Sequence, residues 1–139
     1  MDKPTITGNR ITVPSDTQFL TDVDVFIEGI LRGFGVNESL IADIAISVSE
    51  LVNNAITHGN KASRQKYVEI EIKRNGDAVA ISVADQGGGF DPDTVADPLA
   101  EENLLKEVGR GIFIVRSLMD KVEIKPNDHG TTVTITKAI

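Results

Sequence analysis

The chain has 139 residues, 40% hydrophobic and 25% charged, the balance of a soluble globular domain long enough to bury one core. A net charge of −7 without any Lys/Arg run argues against direct nucleic-acid binding, and the absence of cysteine removes disulfides, thiol nucleophiles and thiolate metal sites. Met1-Asp2-Lys3-Pro4 carries no apolar signal region and no apolar run approaches membrane-spanning length, so the expected address is the cytoplasm, away from any membrane.

From the N-terminus, Thr5 to Val13 is rich in β-branched residues and broken at Gly8-Asn9, which reads as an edge strand or a short hairpin. Ser15 with Gln18 three residues on forms a capping-box pattern opening a helix. Phe19, Val23, Phe26, Ile30 and Phe34 recur along that helix at helical spacing, widened by Leu20, Ile27 and Leu31. Gly33 and Gly35 end it, and Asn37 is the N-cap expected for the next. In this second helix Ile41, Ile44, Val48, Val52 and Ala55 share one face, while Asp43, Ser47, Glu50, Asn54 and His58 share the other. His58-Gly59-Asn60 is expected to terminate it.

Tyr67 to Lys73 alternates, with Val68, Ile70 and Ile72 facing one way. Asn75-Gly76-Asp77 signals a hairpin into a strand carrying Val79, Ile81 and Val83, which ends at Asp85 before Gln86-Gly87-Gly88-Gly89-Phe90. Asp91 to Val108 shows no period beyond a helical turn around Ala100 to Lys106; a connection this long predicts a lid, at about 90–110. Gly109-Arg110-Gly111 then opens a helix from Ile112 to Met119. A strand around Val122 and Ile124, a turn at Asn127 to Gly130 and a closing strand from Thr131 to Thr136 complete the chain. This order predicts one α+β domain over 1–139, a two-layer sandwich with helices on one face of a mostly antiparallel sheet.

Three constellations carry candidate chemistry. Glu50 and Asn54 lie one turn apart, a potential general base beside a neutral oxygen donor able to hold a metal; a hydrated outer helix face is the bland alternative. Asp85-x-Gly87-x-Gly89 places an acceptor-only carboxylate at a strand end, suited to an exocyclic amine such as adenine N6, with glycines that let backbone approach a flat ring; a capped glycine turn is the alternative. Gly109-x-Gly111 at a helix start offers free N–H groups to an anion, and Arg110 beside it is either a phosphate contact or a solvated charge. The spacing matches neither the Walker pattern nor the dinucleotide fingerprint.

Taken together, S-E-L-V-N-N-A-I-T-H-G, D-Q-G-G-G-F-D-P and G-R-G-I-F-I-V-R, with a closing G-T-T-V, resemble the N, G1 and G2 boxes of the gyrase/chaperone/histidine-kinase/mismatch-repair ATPase superfamily. The small free-standing branch, the bacterial anti-sigma factor serine kinases, is the nearest likeness, and it covers nearly the whole chain. The resemblance implies the Bergerat-type ATP-binding fold, with a mostly antiparallel mixed sheet. It implies that Asn54 ligates Mg²⁺ bridging the ATP phosphates, and that Asp85 accepts from adenine N6. Gly87 and Gly89 would shape the pocket, with Thr131 supporting it through a water. Gly109, Arg110 and Gly111 would anchor the lid over the phosphates, and Glu50 would act as general base toward a protein serine. It further implies a STAS-type antagonist as substrate, a sequestered sigma factor and a homodimer. Only His58 and His129 occur, and neither sits in a preceding dimerisation helix, which argues against a sensor histidine kinase. The rival expectation is a nucleotide-gated protein-binding module without kinase activity; a third is an ATPase subunit of another signalling complex.

Overall fold

Gly8 adopts φ +58°, and around it Thr5–Thr7 (β1) and Arg10–Pro14 (β2) fold back as an antiparallel pair, which selects the hairpin over a lone edge strand. The computed structural model describes residues 2–87 and 109–139; the connection expected at 91–108, its helical turn and Gly89 lie outside them.

A 3₁₀ turn at Thr17–Phe19 leads into α1, Leu20–Gly33. The cap of this 3₁₀ turn is Asp16, whose carboxylate accepts from the Gln18 N–H at 3.0 Å, rather than the Ser15 expected from the capping-box pattern. Ser15 is buried and its hydroxyl donates to the Lys66 carbonyl at 2.7 Å, which takes it out of the capping role. At the other end Gly35, at φ +78°, closes a Schellman motif: Val36 N–H donates to the Leu31 carbonyl at 3.1 Å and Gly35 N–H to that of Arg32 at 3.0 Å. Asn37 then caps α2, Glu38–Asn54, by accepting from the Leu40 N–H at 2.9 Å.

Ile41, Ile44, Val48, Val52 and Ala55 are all buried, as a 3.6-residue period demands. Ser47, which spacing puts on the polar stripe, is buried too; its hydroxyl is satisfied by the Asp43 carbonyl at 2.9 Å. The helix ends within His58-Gly59-Asn60 as expected, its last turn being π-helical over Ala55–Gly59 with Asn60 as the C-cap. Glu38–Gly59 is a 22-residue helix whose most apolar window has a mean hydropathy of 1.3, long and apolar enough by composition to span a membrane. That corrects the expectation that no stretch approaches such length. Its apolar side is occupied by the core, against α1 and the sheet.

Tyr67–Asn75 (β3) and Ala78–Ala84 (β4) form the expected hairpin, turning at Gly76-Asp77 with Asn75 opposite Ala78. A third helix, α3, is described over 109–118, so Gly109 and Gly111 lie within helix rather than ahead of it. Lys121–Asn127 (β5) and Gly130–Ala138 (β6) close the chain. The six strands run in the order β1-β2-β3-β4-β6-β5, and all five pairings are antiparallel, so the mixed sheet implied by the resemblance has no parallel pair among the described residues. Val68, Ile70, Ile72, Val79, Ile81, Val83 and Ile135 line the face packed against α1 and α2; Val115 and Met119 attach α3 to the same core. Because β6 inserts beside β4, the start of β6 is brought alongside the loop after β4. That places Thr131 at the candidate site.

Candidate nucleotide site

The loop following β4 is pinned through one carboxylate. Asp85 Oδ1 accepts from the Gly87 N–H at 3.0 Å and from the Thr131 N–H at 3.1 Å, and the Asp85 N–H donates to the Thr131 carbonyl at 3.0 Å. Thr131 therefore engages Asp85 directly through its backbone. Asp85 Oδ2 is turned toward Gly59, where a β-carbon would run into the carboxylate. A β-carbon at Gly87 would likewise strike the Gly59 carbonyl. The end of α2 and the loop after β4 thus touch backbone to backbone, a closeness only glycine permits. Burial pushes the Asp85 carboxyl above its ordinary pKa, opposed by the Gly87 and Thr131 N–H groups and by the positive charge of Lys66.

One turn back along α2, Glu50 and Asn54 both reach toward α3. A β-carbon at Gly111 would lie 2.9 Å from Asn54 Nδ2 and 3.2 Å from Glu50 Oε2. The first described turn of α3 is therefore seated on these two side chains. Asn54 Nδ2 is buried without a hydrogen-bond partner among the described residues. An orphaned buried amide costs on the order of 1–3 kcal/mol, so its retention points to a group that arrives from outside. The amide can rotate to present either oxygen or nitrogen. No cluster of three or more His, Cys, Asp or Glu, and so no preformed cage of such ligands, occurs among the described residues. A single amide oxygen fits Mg²⁺, which takes few protein ligands and completes its octahedron with water and substrate phosphates. Asn54 fits a Mg²⁺-nucleotide in this way.

The sequence-predicted residues fall into two groups separated by the last turns of the second helix. Glu50, Asn54 and Gly111 meet at one end, with exposed Arg110 and Gly109 beside them. Asp85, Gly87 and Thr131 meet at the other. Gly89 and most of the expected lid lie outside the described residues. Sequence reasoning missed Asn60, read only as part of a helix terminator. It is buried, and its side chain bonds Ser15, Tyr67 and Gln86. It also read Gly59 only as a helix stop, although the carboxylate and loop of Asp85 rest on it.

The sequence profile of the histidine kinase-like ATPase domain matches residues 13–137, which span every element of the site. The chain belongs to that family. Among curated proteins, the serine-protein kinase RsbW of Staphylococcus aureus is 30% identical over 137 residues, covering 94% of this chain and 86% of the relative. Among solved structures, the RsbU and RsbW domains of Rv1364c from Mycobacterium tuberculosis superpose with a TM-score of 0.66 at 23% identity, over 93% of this chain and 31% of that one. The histidine kinase domain of the blue-light activated kinase of Erythrobacter litoralis EL346 gives 0.58 at 24% identity, over 91% and 61%. At these identities the two structures speak for the fold alone. Within the histidine kinase-like ATPases, this chain is an RsbW-like member, a domain of the kinase/ATPase type whose described helices are laid on an antiparallel sheet.

Proposed function

We propose that the protein is an ATP-dependent protein serine kinase and anti-sigma factor: it phosphorylates a STAS-type antagonist on serine and sequesters a sigma factor. The observation that carries this reading is the convergence of Glu50 and the unpartnered Asn54 amide on the Gly111 backbone. A carboxylate base, a metal ligand and helix N–H groups then share one small space, which is what phosphoryl transfer asks of a protein.

In this reading Asp85 Oδ2, the oxygen not committed to Gly87 and Thr131, accepts from the exocyclic amine of adenine, while guanine presents an acceptor there and is rejected. Gly87 shapes the pocket, as the resemblance implies for Gly89 also, and Thr131 fixes the carboxylate from β6. Asn54 holds Mg²⁺ through its amide oxygen. Gly109 and Gly111 offer backbone N–H groups to the phosphates, and Arg110 adds a positive charge there. When bound, Mg²⁺-ATP supplies the γ-phosphoryl group and neutralises its charge. Glu50 takes the proton from the substrate serine hydroxyl as its oxygen bonds to phosphorus and ADP departs. A positioned carboxylate base is worth about 10²–10⁴ in rate. The S. aureus relative, named a serine-protein kinase, supports this choice of reaction.

The net charge of −7 agrees with protein rather than nucleic-acid partners, and the reading includes a homodimer working in the cytoplasm. Affinity capture from the native cell extract, with Mg²⁺-ATP and with Mg²⁺-ADP, tests it by mass spectrometry. The expected result is a sigma factor retained with ATP and a small protein newly phosphorylated on serine. Partners retained without any new phosphoserine would replace the kinase by a nucleotide-gated binding module.

A further inference from the structure

Asn60 is 1% exposed and satisfies its whole side chain within the protein. Its Nδ2 donates to Ser15 Oγ at 2.7 Å and to the Tyr67 carbonyl at 2.9 Å, and its Oδ1 accepts from the Gln86 N–H at 2.7 Å. The orientation of the amide is fixed by these partners, since a carbonyl requires the nitrogen and an N–H requires the oxygen. The Asn60 N–H is itself tied to the Ala55 carbonyl at 2.8 Å, so the residue is anchored to the π-helical turn that ends the second helix. Gln86 lies between Asp85 and Gly87, which with Thr131 form the base end of the site. Its side-chain oxygen accepts from the Tyr67 N–H at 2.6 Å, so the loop and β3 are joined on both sides of Asn60.

From this geometry we infer that Asn60 is a positioning residue for base recognition. It holds the Asp85–Gly87 loop at a fixed height above the end of the second helix, and so sets the distance between the carboxylate and the end of the site that carries Asn54. The inference rests on the nucleotide reading given above. A helix stop needs none of these contacts, and a plain core asparagine needs no bond to the middle of the recognition loop. Here the single acceptor of the amide is used on that loop, while both donors go to the scaffold.

Three variants in the full chain separate positioning from scaffolding. Asn60→Ala removes the bond to Gln86; its Mg²⁺-ATP affinity is expected to fall about tenfold and its preference for ATP over GTP to shrink. Asn60→Asp keeps the oxygen that accepts from Gln86 but loses both donations. It is expected to melt well below the wild type while binding ATP within about threefold of it. Ser15→Ala, which touches only the scaffold side, is expected to lose stability at unchanged ATP affinity. Affinity that follows melting temperature across the three variants, or an Asn60→Ala protein with wild-type affinity and base preference, would overturn the inference while leaving the nucleotide site standing. A wild-type chain that binds no Mg²⁺-ATP would overturn both. If Asn60→Ala does not fold, exchange of the Gln86 amide hydrogen in the wild type decides. Mg²⁺-ADP should slow it at least tenfold, and an unchanged rate would count against the inference.

Discussion

Asp85 commits one carboxylate oxygen to Gly87 and Thr131 and leaves the other against Gly59, while burial holds its pKa above the usual value. The folded pKa therefore lies above the unfolded one of about 3.9, so ionisation of this group opposes folding at neutral pH and ceases to do so once the pH drops below that value. Asp85→Asn, which forms no charge and keeps an acceptor for the two N–H groups, should melt higher than the wild type at pH 7 without nucleotide. The gap should close toward pH 4, as thermal melts across that range would register. The same variant should bind Mg²⁺-ATP more weakly by about 1.5–3 kcal/mol, the worth of a charge-assisted hydrogen bond, in a direct titration. Equal affinity would remove Asp85 from the base pocket. The placement of Glu50 one helical turn from Asn54, and of Asp85 just past a strand end, was legible because it follows from short local spacing. Asn60 was not, because its partners Ser15 and Gln86 stand 45 and 26 residues away.

The elements were legible wherever one period ran uninterrupted. The α2 stripe, the β3–β4 hairpin at Gly76 and the Asn37 cap follow from spacing and turn chemistry alone. The cap of the 3₁₀ turn leading into α1 was misread because Ser15 and Asp16 are both good caps. Only the tertiary bond from Ser15 to Lys66 decides between them. The π-helical turn has no sequence signature. It leads into Lys61 and Ala62 at φ +52° and +56°, two side-chain-bearing residues in the left-handed region. Holding such a residue there costs roughly 1–2 kcal/mol, which glycine avoids at the expense of a more flexible unfolded chain. Ala62 is exposed and its N–H is bonded to the Ile56 carbonyl at 2.7 Å. Ala62→Gly should therefore stabilise the fold by up to ~1 kcal/mol and raise Tm by roughly 2–4 °C in a calorimetric scan. A lower Tm would show that the left-handed turn is not where this stretch is strained.

At the scale of the whole molecule, the antiparallel sheet is the device that assembles the site. β6 returns between β4 and β5, carrying Thr131 to Asp85, while the second helix packs on the face of that sheet and carries Asn54 and Glu50 to α3. The two-layer architecture was legible from the order of elements together with the three boxes. The pairing of the last strands was not, because β-branched runs announce a strand without naming its neighbour. The central claim is that this frame presents Glu50 to a protein serine beside Mg²⁺-ATP. Transfer of label from γ-³²P-ATP to a STAS-domain protein of the same cell, by wild type and by Glu50→Gln, tests it most directly. Acid-stable phosphoserine formed by the wild type, with a loss of about 10²-fold or more in the variant at unchanged Mg²⁺-ATP affinity, is the predicted result. Equal rates for the two proteins, or no phosphoserine from the wild type, would contradict it.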